Sequence, residues 1–204
     1  GRTTFGNTTK YILNTVSANL GNMTSLAVVS IMFNFLPLLP FQVLLTNLIS
    51  DGPLLSISTD RVDEEELSKP RNWNIKLISR FTTFFGAISS IFDFTTMILL
   101  SIVMGGNVAV FRAGWFIEST LSEILVTFSI RTKKTFFSST PSKMLLGISI
   151  ICSLLTLLLV YSPLNVFFEF HPPSFIILLA IFGELALYFS TVELVKKFFN
   201  RKYS

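Results

Sequence analysis

Long apolar stretches alternate with short polar ones along the chain, and this pattern predicts a bundle of membrane-crossing helices. A helix needs about 20 apolar residues to cross a hydrocarbon core of roughly 30 Å. Stretches of about that length occupy residues 9–33, 40–58, 77–104, 114–130, 144–161 and 174–195. We therefore expect an all-α, polytopic membrane helix bundle of six transmembrane helices, forming a single domain over residues 1–204.

The composition supports this interpretation. Half of the 204 residues are hydrophobic and 14% are charged, whereas a soluble domain carries about 25% charged residues. The mean hydropathy of +0.64 agrees, so an ordinary soluble domain is excluded. The single cysteine, Cys152, excludes an internal disulfide framework, and the single histidine, His171, excludes a His-rich metal site.

The basic residues predict the orientation in the membrane. Of the 16 Lys and Arg residues, 15 lie at the two ends of the chain or in the loops at residues 59–80 and 131–143, and Arg112 alone lies in the opposite loops. Cytoplasmic loops retain positive charge, so both termini should be cytoplasmic, with residues 1–10 as a stalk and 196–204 as a tail. We expect an integral, multi-pass protein of the plasma (inner) membrane. The basic residues then set the topology and contact lipid phosphates, and we expect no nucleic-acid partner.

The second span contains candidate chemistry. Asp51 lies in mid-span, Asn47 precedes it by one helical turn on the same face, and Ser50 is adjacent. Pro53, after Gly52, lacks a backbone donor and disfavours helix in the residue before it, so we expect the helix to loosen here and free carbonyl oxygens. Ionised groups within a membrane usually mark an ion path.

The first span supplies a facing set of ligands. Asn19 and Asn22 are three residues apart, and Gly21 between them permits another helix to approach closely. Together with Asn47, Ser50 and Asp51 they predict an all-oxygen site, which suits hard cations and argues against zinc or copper. Because the set carries little negative charge, it favours a partly hydrated magnesium ion over calcium.

Four other acids lie within the predicted spans. Glu123, with Thr127 one turn later, is either a second carboxylate of the ion path or a packing residue. Asp93 follows two serines by three and four residues, which indicates a structural carboxylate. We expect Glu118 to lie at the membrane interface and Glu184 to be structural.

Several longer motifs resemble P-type cation-transporting ATPases, and the resemblance covers the whole chain. Residues 1–12 (GRTTFGNTTKYI) and 17–22 (SANLGN) are similar to the stalk and fifth transmembrane helix of that family, and 36–40 (LPLLP) with 47–52 (NLISDG) to its sixth. Five further segments resemble the magnesium-transporting branch of that family: TDRVD (59–63), KPRNW (69–73), FFGAISSIFD (84–93), GWF (114–116) and IRT (130–132).

The resemblance implies that the six spans are helices five to ten of a ten-helix pump. It also implies that Asn19, Asn22, Asn47 and Asp51 lie at the cation site. At the position of Asn22, calcium pumps of the family carry an acid, which argues against calcium. At the position of Glu123, members of the magnesium branch often carry Gln, whereas calcium pumps carry an acid. Magnesium is therefore the expected cargo, with calcium or another cation as the alternative.

The chain lacks the family's Asp-Lys-Thr-Gly-Thr phosphorylation motif. Its expected partners are the lipid bilayer, the amino-terminal membrane helices and the actuator, phosphorylation and nucleotide domains that would use ATP. No ATPase activity is expected from this chain alone. The polar start at Gly1 leads straight into a helix, so we expect it to belong to a larger polypeptide. The competing hypothesis is a free-standing, non-enzymatic membrane subunit or pore.

Overall fold

The computed structural model describes residues 1–63 and 74–203, and this part of the chain contains helices and no strand. Three short 3-10 turns, at Ile57–Thr59, Phe136–Ser138 and Pro163–Val166, lie between the longer elements. The six long helices are α1 (Arg2–Met32), α2 (Pro40–Ser56), α3 (Ile75–Val103), α4 (Val108–Ile130), α5 (Lys143–Tyr161) and α6 (Phe175–Tyr203). The predicted all-α bundle is confirmed.

Helix α4 occupies the centre of the bundle. It packs against each of the other five helices, while α1 packs mainly along α3, and α2 packs against α4 and α5. Nearly every residue of α4 is buried, including Trp115, Phe116 and Phe111. The apolar side chains fill the core, and the polar ones on α4 are enclosed by protein rather than lipid. That enclosure makes an acid such as Glu123 tolerable within an apolar bundle.

Small residues allow α1 and α3 to cross closely. A Cβ atom added to Gly21 would lie 2.7 Å from the Ser89 Cβ and 3.3 Å from the Gly86 carbonyl oxygen. Real Cβ contacts are not that short, so only glycine fits at this crossing. The close helix approach predicted for Gly21 is confirmed, and it brings the polar face of α1 against the bundle interior.

In the part of the chain that the structure describes, three helices are long and apolar enough to cross a membrane: Ile75–Val103, Lys143–Tyr161 and Phe175–Lys202. The last two place large apolar side chains on the outside of the bundle, as Ile151, Leu154 and Ile176 illustrate. Such a surface is suited to lipid, so the chain is part of an integral membrane protein. The remaining helices have more polar residues, which point largely inward, as Asn14, Ser17 and Ser25 do on α1.

Two local predictions are wrong. The loop expected at residues 105–113 is shorter, because α4 already begins at Val108, where the Asn107 side chain accepts a hydrogen bond from the Ala109 amide. Gly105 and Gly106, both at positive φ, make the tight turn that permits this early start. Helix α2 also continues through Pro53 to Ser56 instead of loosening at residues 52–53.

One end of the bundle is held together by a buried ion cluster around Asp60. Its carboxylate lies 3.2 Å from Lys10 Nζ and 3.1 Å from Arg131 Nη1, and also accepts a hydrogen bond from the Ser142 amide. Asn7 donates to the Asp60 carbonyl oxygen. These residues join the start of α1, the end of α2, the end of α4 and the start of α5. Lys10 and Arg131 are therefore buried ion-pair partners rather than the lipid contacts expected from the sequence.

The end of α6 is attached to the same end of the bundle. Lys196 Nζ donates to the Ser129 carbonyl oxygen at 2.8 Å and to Glu193 Oε1 at 2.6 Å, and Glu193 also accepts a hydrogen bond from the Phe136 amide. Asn200 donates to the Lys133 carbonyl oxygen. Lys196 is thus buried as well. Glu64 to Glu66 and the motif at 69–73 lie outside the described residues, as does the final residue of the tail.

Candidate cation site

Asn22 on α1 connects two helices in the middle of the bundle. Its amide nitrogen donates to Ser119 Oγ at 3.1 Å and to the Glu123 carboxylate. Ser119 and Glu123 are one turn apart on α4, so both point toward α1. The Thr127 hydroxyl donates to the backbone carbonyl of Glu123 and not to its side chain. The Glu123 carboxylate therefore faces Asn22. Asn22 and Glu123 are 101 positions apart in the sequence.

Ser50 on α2 completes a three-helix arrangement. Its side chain is buried near the Glu123 carboxylate, and its hydroxyl donates to the Asn47 carbonyl oxygen at 3.3 Å. Asn19, Asn22 and Asn47 line one adjoining cavity, which holds about 20 Å³ and is closed by Thr46 and Ser119 together with apolar side chains. That space accommodates about one water molecule. Three of the six predicted site residues, Asn19, Asn22 and Asn47, therefore line this cavity, and Glu123 and Ser50 adjoin it through their hydrogen bonds to Asn22 and Asn47.

Asp51 occupies a different position. Its side chain is exposed on the outer face of α2, although it remains close enough to Glu123 for the two negative charges to repel each other. Asn19 is also exposed on its side of the cavity. Within the described part of the chain, no ion pair involves Asp51 or Glu123. The site is thus enclosed on the α4 side and open on the side where Asp51 and Asn19 lie.

The other intramembrane acids form a second buried group. Asp93 accepts a hydrogen bond from Ser25 at 2.7 Å, and Glu184 accepts one from Thr96 at 2.6 Å. Glu118 is 1% exposed, so its predicted interfacial position is wrong. The reason is that α4 begins at Val108, which places Glu118 nearly three turns into the helix.

Sequence analysis missed Ser119 and Thr46 at the cavity. Ser119 could have been found, since it precedes Glu123 by four residues and shares its helix face. Thr46 lies beside Asn47 in sequence, and its hydroxyl donates to the Gln42 carbonyl oxygen, which is a common local contact without a functional signature.

The available ligands are one carboxylate together with amide and hydroxyl oxygens. Among the described residues, no group of three or more His, Cys, Asp or Glu side chains could hold a metal ion. A dehydrated, carboxylate-rich site is therefore not formed by this part of the chain. Neutral oxygens and a small water-sized cavity suit a hard cation that keeps part of its hydration shell.

The bundle has the half-buried amides of Asn22 and Asn47 at its centre, beside a buried carboxylate that forms no ion pair among the described residues. These features define the class of helical membrane proteins with a polar, ion-compatible interior. Residues 35–198 match the family model described as cation transporting ATPase, C-terminus, and the chain belongs to this family.

Individual relatives agree with the family match. The chain is 37% identical over its whole length to "Magnesium-transporting ATPase, P-type 1" of Escherichia coli (strain K12) and 36% identical to the protein of that name from Salmonella typhimurium (strain 14028s / SGSC 2262). It is 26% identical, over 83% of its length, to "Calcium-transporting ATPase" of Bacillus subtilis (strain 168). The resemblance to P-type ATPases and to their magnesium-transporting branch is confirmed. The chain spans 23% of the length of the two magnesium-transporting relatives and 20% of the calcium-transporting one.

Proposed function

We propose that this chain is the cation-binding membrane part of an ATP-driven P-type pump whose cargo is magnesium. The observation that carries the proposal is the Glu123 carboxylate, which is 6% exposed and accepts a hydrogen bond from Asn22 without a cationic partner among the described residues. A carboxylate enclosed in this way is stabilised by an arriving cation. The 37% identity to a magnesium-transporting ATPase supports magnesium as that cation.

The open side of the site supports a role for the rest of the pump. Asn19, which lines the cavity, and Asp51 are both exposed on the described bundle. In the complete pump, amino-terminal membrane helices would cover these two side chains and close the site. The actuator, phosphorylation and nucleotide domains would hydrolyse ATP and drive the change in helix positions, so this chain alone would bind cation without turning over ATP.

The bundle ends support the proposed orientation. Lys10, Arg131 and Lys196 lie at one end, whereas Arg112, with its 4.0 Å contact to Glu169, lies at the other. The end that is rich in basic residues would be cytoplasmic, which places both termini there, in the plasma (inner) membrane. All six long helices would then cross the bilayer, with α4 enclosed by its neighbours.

Magnesium uptake is the appropriate test, because magnesium is also needed with ATP and an ATPase assay would confuse the two roles. The complete pump and its Glu123→Gln and Asp51→Asn variants would be reconstituted into vesicles containing a fluorescent magnesium indicator. Each variant should lose transport by about tenfold or more, which corresponds to about 1.4 kcal/mol of binding. Glu169→Gln, at an exposed loop position, is the matched control and should transport normally.

Calcium is the second candidate cargo, since Glu123 adds an acid and one relative is named as a calcium-transporting ATPase. Repeating the vesicle assay with a calcium indicator separates the two ions. Calcium transport in place of magnesium would overturn the choice of cargo. Magnesium entry that needs no ATP would indicate a passive pore, and normal transport by both variants would refute the site.

A further inference from the structure

A second cavity lies beside Glu123, between helices α1, α3, α4 and α6. It holds about 10 Å³, and every residue that lines it is buried. The cavity beside Asn22, in contrast, is lined in part by the exposed Asn19. The polar residues that line the second cavity are Ser17, Ser89, Ser122, Glu123 and Tyr188. The second cavity is therefore an internal, largely polar space within the bundle.

The two cavities extend toward opposite ends of the bundle. The cavity beside Asn22 reaches Leu38, beyond the end of α1, whereas the second cavity reaches Ile130, the last residue of α4. Helix α1 begins and α4 ends at the basic end of the bundle, where Lys10 and Arg131 share a carboxylate. The second cavity therefore lies between the cation site and the basic end.

Ser17 indicates that this space holds a ligand. The residue is 4% exposed, and its hydroxyl has no hydrogen-bond partner among the described residues. Thr9 and Ser25 on the same helix donate to the carbonyl oxygen four residues earlier, and Ser17 makes no such contact. Buried polar groups are nearly always hydrogen-bonded, and ordered water supplies the partner where protein does not. A partner for Ser17 is therefore expected in the cavity that it lines.

The volume and the lining suit one water molecule. A cavity of about 10 Å³ is about the smallest that can hold a water, which needs two to four polar partners. Cavities that stay empty are apolar, and this one is not. Glu123 is the one acid among the described residues that line it, so the cavity does not offer the oxygen ligands that a divalent cation requires.

The donors and acceptors around the cavity can satisfy a water completely. Ser17 and Tyr188 carry hydroxyl groups that can donate to it. Ser122 gives its own proton to the Ser119 carbonyl oxygen at 3.0 Å, so its oxygen remains available as an acceptor. The Glu123 carboxylate accepts a hydrogen bond from Asn22 and has acceptor capacity left. A water here can accept two hydrogen bonds and donate two.

We propose that the second cavity binds a water molecule, held by Ser17 and Tyr188, that donates to the Glu123 carboxylate and fixes its position at the cation site. This inference rests on the proposed function, in which Glu123 binds the transported cation. Carboxylates that bind metal ions are themselves held by hydrogen bonds from surrounding groups. Asn22 holds Glu123 from α1, and the water holds it from the side of the basic end. Ser17 and Tyr188 are thus positioning residues.

Radiolytic footprinting of the complete purified pump tests for the water directly. X-rays convert water to hydroxyl radicals, which oxidise the side chains next to a bound water, and mass spectrometry locates the oxidised residues. In buffer without magnesium, Tyr188 should be oxidised at least several-fold more than Phe116. Phe116 is 0% exposed, belongs to the apolar core and lines neither of the two cavities, so it reports on a dry interior.

A variant that displaces the water sharpens this test. Ser17→Val fills part of the cavity and removes a donor, so it should lower the oxidation of Tyr188 to about the level of Phe116. Ser190→Val makes the same chemical change at an exposed position on α6 and should leave the oxidation of Tyr188 unchanged. Wild-type Tyr188 oxidised no more than Phe116 overturns the proposal, as does oxidation that persists in Ser17→Val.

Magnesium uptake by the reconstituted pump tests what the water does for Glu123. Tyr188→Phe removes one oxygen atom and keeps the ring, which preserves the packing. Groups that hydrogen-bond to metal-binding side chains typically contribute 10–100-fold to metal affinity. The magnesium concentration for half-maximal uptake should therefore rise about tenfold, with the maximal rate within about twofold of the wild type. A lower maximal rate at an unchanged half-maximal concentration would indicate a structural defect and overturn the positioning role.

The two experiments also separate this proposal from the proposed function. Footprinting needs no cation, so it decides whether the water is bound even if Glu123→Gln transports magnesium normally and the cation site is refuted. Loss of transport in Glu123→Gln together with an unoxidised Tyr188 would support the cation site and refute the water.

Discussion

Arg131 and Asp60 form an ion pair that is closed to solvent, with the Nη1 and Oδ2 atoms 3.1 Å apart and both side chains 0% exposed. Arg131 also donates to the Ser139 carbonyl oxygen, and Lys10 shares the same carboxylate. A pair buried this deeply is costly to break from one side, because the partner left behind is an uncompensated charge. Among the described residues, Asp60 is therefore the acid that pairs with both buried cations.

Replacing Asp60 with Asn should destabilise the protein strongly. Lys10 and Arg131 would remain buried without the carboxylate that they share among the described residues, and breaking such a pair costs about 3–5 kcal/mol. The melting temperature of the complete pump in detergent measures the effect. Glu169→Gln, which disrupts only the exposed 4.0 Å contact with Arg112, should change stability by less than about 1 kcal/mol. Equal melting temperatures for the two variants would contradict the role of Asp60.

Gly21→Ala should destabilise the crossing of α1 and α3. The new Cβ would lie 2.7 Å from the Ser89 Cβ, and overpacking of this kind costs about 1–3 kcal/mol. Gly147→Ala is the control, because a Cβ there meets nothing within 4 Å and alanine favours the helix. Thermal unfolding should show a loss for the first variant and no loss for the second.

The same contact allows a rescue experiment. Adding Ser89→Gly removes the atoms nearest to the new methyl group, so the double variant should recover part of the stability lost in Gly21→Ala. Strictly additive losses in the double variant would mean that the two positions do not constrain each other.

Asn22→Asp should change ion selectivity toward calcium. The substitution places a second carboxylate beside Glu123, and calcium is held by more carboxylate oxygens than partly hydrated magnesium is. Inhibition of magnesium uptake by added calcium should increase several-fold in the reconstituted complete pump. Asn34→Asp, at an exposed position beyond the end of α1, is the matched control. Unchanged calcium inhibition would place Asn22 outside the cation site.

Glu193→Gln should loosen the attachment of α6 to the rest of the bundle. Glu193 accepts hydrogen bonds from Ser129, Lys196 and the Phe136 amide, so its neutralisation removes the carboxylate that is paired with the buried Lys196. Hydrogen exchange measured by mass spectrometry should become faster in the segment around Phe136. Lys197→Gln, at an exposed position on the same helix, should leave exchange there unchanged.

The helices could be predicted from the sequence because apolar stretches of membrane-crossing length are a strong local signal. The close approach at Gly21 was also predictable, since small residues between polar ones favour helix crossing. Asp51 shows the limit of such reasoning. Its position in mid-span indicates depth in the membrane, but which way the helix faces depends on packing against α4 and α5, and that packing leaves Asp51 on the outside.

Long-range pairing was not predictable. Asp60 lies in the sequence between a helix end and an acidic run, and its partners Lys10 and Arg131 are 50 and 71 positions away. Local patterns predicted that these basic residues set the topology and contact lipid phosphates. Glu118 was misplaced for a related reason, because the early start of α4 depends on the Asn107 cap and the turn at Gly105 and Gly106.

The burial of α4 on all sides has a consequence for how the sequence can vary. A residue on α5 with an outward face, such as Ile151, needs only to remain apolar, so many substitutions there should be accepted. A residue on α4, such as Phe116, is buried against the surrounding helices, because α4 packs against each of them. Changes along α4 should therefore survive mainly in combination with changes on the surrounding helices, which makes the central helix the slowest part of the bundle to diverge.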